Sequence, residues 1–178
     1  MRTVMIGYLS LVTQPAWLRG PVEGIPALLQ PVAHALIDAD EDVQKFVRSL
    51  SETQAAARPA GVASVAYHVT HAMGSLDRLF TYARGEALND AQRAALASEK
   101  TFDPAGTTGP DLAARFAAAI GRAHAQLRAT KESDLHVTRS VGRAQLPAST
   151  QGLLFHAAEH TARHVGQIVT TAKLVSAG

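Results

Sequence analysis

The residues with the clearest capacity for chemistry are three histidines on one predicted helix near the end of the chain. His156, His160 and His164 are spaced four residues apart in the segment FHAAEHTARHVGQ. A helix turns by about 100° per residue, so a step of four residues drifts by only about 40° and the three imidazoles share one stripe. Two imidazoles at positions i and i+4 can reach one metal ion, which makes His160 and His164 candidate ligands.

A second pair of histidines lies on an earlier predicted helix. His68 and His71 are three residues apart in YHVTHAMGS, at the edge of the apolar face of that helix. Where the two helices are neighbours, one of these imidazoles can face the later pair. Three neutral imidazoles with open positions are typical of a catalytic-type site for one divalent ion such as zinc, nickel or iron. Helical geometry leaves both histidines open as the third ligand, because His68 lies nearer the apolar face and His71 nearer solvent.

Other polar residues near these histidines have weaker claims. His156 fits a polar edge position first and an additional ligand second. Glu159 is interpreted as a solvated charge, with a role as general base as the alternative. Gln167 is a candidate for fixing the tautomer of a ligand imidazole through a hydrogen bond. Asp77 and Arg78 are interpreted as a surface ion pair.

Four long amphipathic segments must position the histidines. Apolar residues recur at helical spacing over about 25–50, 62–82, 111–131 and 149–175. Asn89 or Asp90 can cap a short helix over 91–98, and the stretch 134–147 predicts a loop with some extended backbone, compatible with a short hairpin. The sequence therefore predicts an all-α fold, a four-helix bundle with long connecting loops. Its topology is either up-down-up-down or contains a crossover.

Composition excludes several classes of protein. The chain of 178 residues contains no cysteine, which excludes a disulfide framework, a cysteine-based metal site and a cysteine nucleophile. A formal net charge of +2 gives no basic field that favours nucleic acid as a partner. No segment is apolar for long enough to predict a transmembrane helix. We therefore expect a cytoplasmic protein with neither a nucleic-acid nor a membrane partner.

The length favours a single domain rather than two. Residues 1–20 are predicted to form an N-terminal arm, and residues 21–178 a single bundle domain. The apolar start of the arm resembles a signal peptide only loosely, because no cleavage site with small residues follows it. An alanine-rich helix face is compatible with a homodimer.

Three motifs of this chain together resemble those of the DinB-like four-helix bundles, a family that includes the YfiT-like proteins. The resemblance spans roughly Trp17 to Ala172 and is carried by WLRGP, SVAYHVTHAMGSLDR and EHTARHVGQ. The last motif is the most specific, since it resembles the family pattern Glu-His-x-x-x-His-x-Gly-Gln. The chain departs from the family at Ala63, where a tryptophan often precedes the Ser-Val start of the second motif.

The resemblance implies a ligand set and a type of reaction. Family members bind one divalent metal through one histidine of the second long helix and two of the fourth. These positions correspond here to His71, His160 and His164, with His68 as the alternative on the second helix. Characterised relatives include transferases that use a low-molecular-weight thiol and a thiol-dependent isomerase, so the resemblance implies a thiol S-transferase or a hydrolase that acts on a small electrophile. The alternative function is a non-catalytic metal-binding protein of the stress-response type.

Overall fold

Six α-helices and one small hairpin organise residues 14–177, the part of the chain that the computed structural model describes. The helices are α1 (Gln30–Phe46), α2 (Glu52–Ala56), α3 (Val65–Ala83), α4 (Asp90–Ser98), α5 (Gly109–Ala129) and α6 (Thr150–Ser176). The hairpin pairs β1 (Thr138–Val141) antiparallel with β2 (Leu146–Ser149) just before α6. The predicted all-α fold is confirmed, and a short hairpin does precede the last helix.

The long helices begin at residues that satisfy their exposed N–H groups. Ser64, Thr108 and Ser149 each accept a hydrogen bond from the backbone N–H three residues later, at the starts of α3, α5 and α6. α1 has no side-chain cap, and Pro31 lies in its first turn, where a missing N–H costs little. Within the predicted segment 25–50, a 3₁₀ turn, Ala27–Leu29, comes first, and the regular helix begins beside Pro31, as a proline in this stretch favours.

α1, α3, α5 and α6 form a four-helix bundle in which each helix packs against two of the others. α1 and α5 are antiparallel: the Gln44 amide donates to the carbonyl of Ala113, and the ring of His124 donates to the carbonyl of Ala33. α3 and α6 are antiparallel too, since the first histidine of α3 faces the last histidine of α6. This α3–α6 interface is the most extensive in the bundle.

α3 and α5 run in the same direction, so a long crossover joins them. Gln126 near the end of α5 donates to the carbonyl of Phe80 near the end of α3. The crossover, residues 84–108, must span the length of α3, about 28 Å for its 19 residues at about 1.5 Å each. It contains α4 and returns along α3, where Glu99 meets Arg78. The topology is therefore up-down-down-up, which resolves the alternative that the sequence leaves open.

The apolar core fills the space between the four bundle helices. Its largest fully buried side chains are Phe116, Leu29, Leu36, Leu112, Leu127, Leu135, Leu154 and Ile168.

The start of α5 is fixed by a close backbone approach, because the N–H of Gly109 donates to the carbonyl of Leu50 at 3.0 Å. A Cβ at Gly109 would lie 2.2 Å from the carbonyl oxygen of Val47, so only glycine fits there. The crossover therefore ends at a fixed point beside the end of α1.

The described part of the predicted N-terminal arm contacts α1. The N–H of Ala16 donates to the carboxylate of Asp38, and Arg19 pairs with Glu41. The first 13 residues of the arm lie outside the described residues, so the boundary between arm and domain stays a prediction. Among residues 14–177, none of the helices combines the length and the hydrophobicity that a transmembrane segment requires.

Candidate metal centre

Four histidines meet where α3 packs on α6. Nε2 of His71 lies 3.2 Å from Nε2 of His160, and Nδ1 of His68 lies 3.1 Å from Nδ1 of His164. The ring centroid of His164 lies 4.6 Å from that of His71 and 4.6 Å from that of His160. Each nitrogen contact is a hydrogen bond only when one ring carries the proton and the other presents its lone pair. The antiparallel packing of two helices therefore gathers histidines that are about 90 residues apart in the chain.

Three of the four rings converge closely enough to share one ion. His71, His160 and His164 each offer a ring nitrogen, and these three atoms all lie within 4.8 Å of one another. The donor set fits a divalent zinc, nickel or iron ion, because imidazole nitrogen suits each of these metals. His68 is the most buried of the four, with 8% of its surface exposed, and it contacts the group through His164. The structure thus brings together the ligand set that the family register indicates, while ligation itself stays a prediction.

Burial favours the uncharged form of three of these rings, those of His68, His160 and His164. Burial, with further repulsion from His71, His160 and His68, lowers the pKa of His164 to about 4. Burial and then the charge of His71 also lower the pKa of His68 and that of His160. A neutral imidazole retains the lone pair that a metal ion binds, so the rings are in the form that ligation requires.

Glu99 of the crossover holds His71 on the side away from the other histidines. One carboxylate oxygen accepts from Nδ1 of His71 at 2.7 Å, and the other accepts from Arg78 at 2.6 Å. The side chains of Glu99 and Arg78 are only 13% and 11% exposed. Because the carboxylate can only accept, Nδ1 of His71 carries the proton, and it is Nε2 that faces His160 and can present a lone pair. A carboxylate in this position fixes the tautomer and orientation of a ligand histidine.

Two further residues of α3 make this arrangement possible. A Cβ at Gly74 would lie 2.9 Å from a guanidinium nitrogen of Arg78 and 3.0 Å from a carboxylate oxygen of Glu99. Glycine at this position therefore lets the buried ion pair lie against the helix. The ring of Tyr67 stacks on the ring of His71, with centroids 5.9 Å apart and planes within 8° of parallel. The His71 ring is thus held at one edge by the carboxylate of Glu99 and covered on one face by the ring of Tyr67.

The other candidates from the sequence lie outside this arrangement. His156 is exposed, and its Nδ1 lies 3.3 Å from the carboxylate of Glu159. Glu159 also accepts from Arg163, and this bond lowers the pKa of the Glu159 carboxyl. Gln167 is exposed and makes no hydrogen bond to a ring in the described part of the chain. Glu159 therefore fits the interpretation as a solvated charge, and Gln167 does not fix the tautomer of a histidine here.

The interpretation of Asp77 and Arg78 as a surface pair is wrong. Arg78 is buried and pairs with Glu99, whereas Asp77 accepts from the side-chain amide of Gln92. Sequence reasoning also missed Glu99 itself, because no local pattern marks a glutamate at the end of a short exposed helix. The signal that could have found it is Arg78. This residue follows His71 by seven positions, so both lie on the same face of the helix. A cation buried on that face needs an acidic partner.

Comparisons with known proteins agree with this bundle. The family model for the DinB superfamily matches residues 35–168, which include all four clustered histidines. The crystal structure of a conserved protein of a locus from Enterococcus faecalis has the same fold, with a TM-score of 0.63 at 20% sequence identity. That likeness covers 84% of this chain and 98% of the other. A comparison with curated proteins gives no match. Since the family match extends from within α1 to within α6, the chain belongs to the DinB superfamily.

Proposed function

We propose that this protein holds one divalent metal ion, zinc, nickel or iron, through His71, His160 and His164, and that it is a metal-dependent enzyme. The reaction is the transfer of a low-molecular-weight thiol to a small electrophile, or the hydrolysis of that electrophile. The observation that carries the proposal is the convergence of three ring nitrogens within 4.8 Å. A set of three protein ligands leaves room for water or a substrate atom, as in catalytic zinc sites. The thiol rests on the family resemblance alone.

The chemistry of a bound divalent ion is the lowering of the pKa of a thiol or a water molecule, which supplies a nucleophile near neutral pH. The chain's own residues provide position and tautomer. Glu99 keeps the proton of His71 on Nδ1, and Arg78 neutralises the carboxylate that does so. His68 contacts Nδ1 of His164 and orients that ring in a similar way. The two supported rings therefore need little rearrangement when a ligand enters, which reduces the cost of binding.

A function of a different class, a non-catalytic metal-binding protein, is favoured by one observation. Among residues 14–177, two carboxylates contact a histidine of α3 or α6, and both are already paired with an arginine: Glu99 with Arg78 and Glu159 with Arg163. A carboxylate held by a guanidinium is a weak general base, because the ion pair stabilises its ionised form. Metal storage or a stress-response role needs only the ligands.

One experiment separates the two functions. The purified protein is loaded in turn with zinc, nickel and iron(II), its metal content is measured, and consumption of a chromogenic electrophile is followed with and without glutathione. We expect one equivalent of metal, turnover that requires it, and loss of both in His164→Ala. Stoichiometric metal without turnover under all conditions would favour the non-catalytic function. Less than about 0.1 equivalent with every metal would contradict both functions.

A further inference from the structure

An open cleft of about 400 Å³ lies beside the histidines, between the start of α3 and the crossover. Its volume is in the range of small-molecule sites. The lining residues that matter here are two cations, two aromatic rings, one hydroxyl and one carboxylate: Arg58, Lys100, Tyr67, Phe102, Ser64 and Glu99. None of the sequence motifs pointed to this cleft, because most of its wall comes from connecting segments.

Two residues of the cleft wall also touch the candidate metal centre. The ring of Tyr67 stacks on the ring of His71, and the carboxylate of Glu99 accepts from its Nδ1. A molecule in the cleft is therefore separated from His71 by the thickness of one side chain. The cleft therefore borders the two residues that support His71.

The charges of the cleft select an anion. The guanidinium of Arg58 donates to the carbonyl oxygens of Gly61 and Val62 and pairs with no carboxylate among residues 14–177. Lys100 is exposed and likewise has no acidic partner in that range. The carboxylate of Glu99 in the same wall is already neutralised by Arg78. Two cations without acidic partners in a concave surface attract a carboxylate or a phosphate.

The aromatic side chains give the cleft a less polar wall. Tyr67 and Phe102 meet edge to face, with ring centroids 5.9 Å apart. Such a pair offers apolar surface to the body of a ligand whose charged end lies at the cations. The cleft therefore combines an anion-binding end with a surface for a planar or apolar group.

We propose that this cleft binds a small organic molecule that carries a carboxylate or phosphate group, with the anion at Arg58 and Lys100 and the less polar part against Tyr67 and Phe102. The proposal deepens the proposed function, because it names the substrate class of the same site. It rests on the proposed function only for what the protein does with the bound molecule, since anion binding in the cleft requires no metal.

The test uses three probes of similar size on isotope-labelled full-length protein. Hippurate carries a carboxylate and a ring, phenyl phosphate carries a phosphate and a ring, and hippuramide is the neutral counterpart of hippurate. Each is titrated by amide chemical-shift mapping into metal-free and zinc-treated protein. We expect saturable shifts around Tyr67, Lys100 and Phe102 with one or both anions, and about tenfold weaker binding of hippuramide. The tighter of the two anions identifies the preferred group.

Matched arginine variants decide whether the cleft is responsible. Arg58→Gln should weaken binding of the preferred anion by about tenfold, whereas Arg143→Gln in the exposed hairpin turn should leave it unchanged. Equal binding of hippurate and hippuramide, or equal effects of the two variants, would overturn the proposal. Metal content measured on the same samples keeps the two hypotheses apart. Anion binding without metal binding would support the cleft and contradict the metal centre, and the reverse result would do the opposite.

Discussion

The two halves of the bundle use histidine in opposite ways. In the α1–α5 half, Nε2 of His124 donates to the carbonyl of Ala33, and Nε2 of His34 donates to the carbonyl of Gly20. In the α3–α6 half, ring nitrogens face one another at 3.1–3.2 Å instead of facing carbonyl groups. A carbonyl can only accept, so the nitrogen that faces it carries a proton and has no lone pair for a metal, whereas an imidazole nitrogen that faces another imidazole can exchange its proton for a cation. A bound cation would therefore stabilise the facing histidines of α3 and α6 but not the histidines that donate to carbonyl groups.

The largest effects are expected when one histidine is removed from each half of the bundle, which tests directly whether the two halves differ in metal binding. His160→Ala or His164→Ala should abolish stoichiometric metal binding and leave the far-UV helical signal intact, because the apolar core does not depend on the metal. His124→Ala should retain full metal content and lower the melting temperature, since it leaves the carbonyl of Ala33 without its donor. Elemental analysis and thermal circular dichroism check both results. Full metal content in either α6 variant would show that the ligands lie elsewhere.

A finer comparison lies within α3. His71→Ala should lower metal affinity by about tenfold or more, because it removes a ring nitrogen of the converging group. His68→Ala should lower it less, because His68 contacts the group only through His164. Competition with a chromogenic chelator measures both affinities. A larger loss in His68→Ala than in His71→Ala would reverse the assignment on this helix and leave the α6 pair in place.

The two carboxylates near the histidines offer a matched pair of variants. Glu99→Gln should lower metal affinity by about tenfold, because the uncharged amide holds the Nδ1 proton of His71 more weakly. Glu159→Gln changes a more exposed carboxylate, 38% against 13% for Glu99, that lies beside His156, and the affinity should stay within about twofold. The same chelator competition applies. Equal losses in the two variants would indicate a general effect of charge rather than an effect through His71.

The smallest expected effect concerns the stability of the metal-free protein. The folded-state pKa of His164 is about 4, below the value of about 6.5 for histidine in an unfolded chain. Between these values the unfolded chain binds more protons, so the free energy of unfolding decreases as pH falls from about 6.5 toward 4. The melting temperature should fall across this window, and less steeply in His164→Gln. His136→Gln, at an exposed position, should keep the original slope. Identical slopes in all three proteins would show that His164 does not contribute.

The fold and the histidine stripe of α6 were predictable because both depend on short-range patterns. The spacing of His160 and His164 places them on one face of any helix, and Thr108 and Ser149 mark the helix starts through their side-chain oxygens. The choice of His71 over His68 required the alignment with the family motif, since the spacing of residues alone does not say which helices are neighbours. α2 was missed because its five residues are too short for a periodic pattern, although Ser51 forms a capping box there.

Glu99 and the cleft were not predictable, because both depend on the path of the crossover. The partner of a buried cation such as Arg78 can be any acidic residue that tertiary structure brings to it. Glu99 reaches His71 across 28 residues of sequence, with no periodic pattern to connect the two. The order of helices around the bundle decides this contact, and that order follows from packing rather than from local sequence.

The parallel arrangement of α3 and α5 obliges the chain to return along the outside of the bundle, and the returning segment forms one wall of the candidate centre. α4 within it has no buried residue, so its sequence is little constrained by the core. The histidines lie on helices whose positions the core does fix. Within the returning segment, residues 84–108, Glu99 is tied to the histidines through His71 and Arg78, whereas Lys100 is exposed and has no such tie. Changes in this segment that keep Glu99 can therefore alter what the cleft binds while the histidines stay in place.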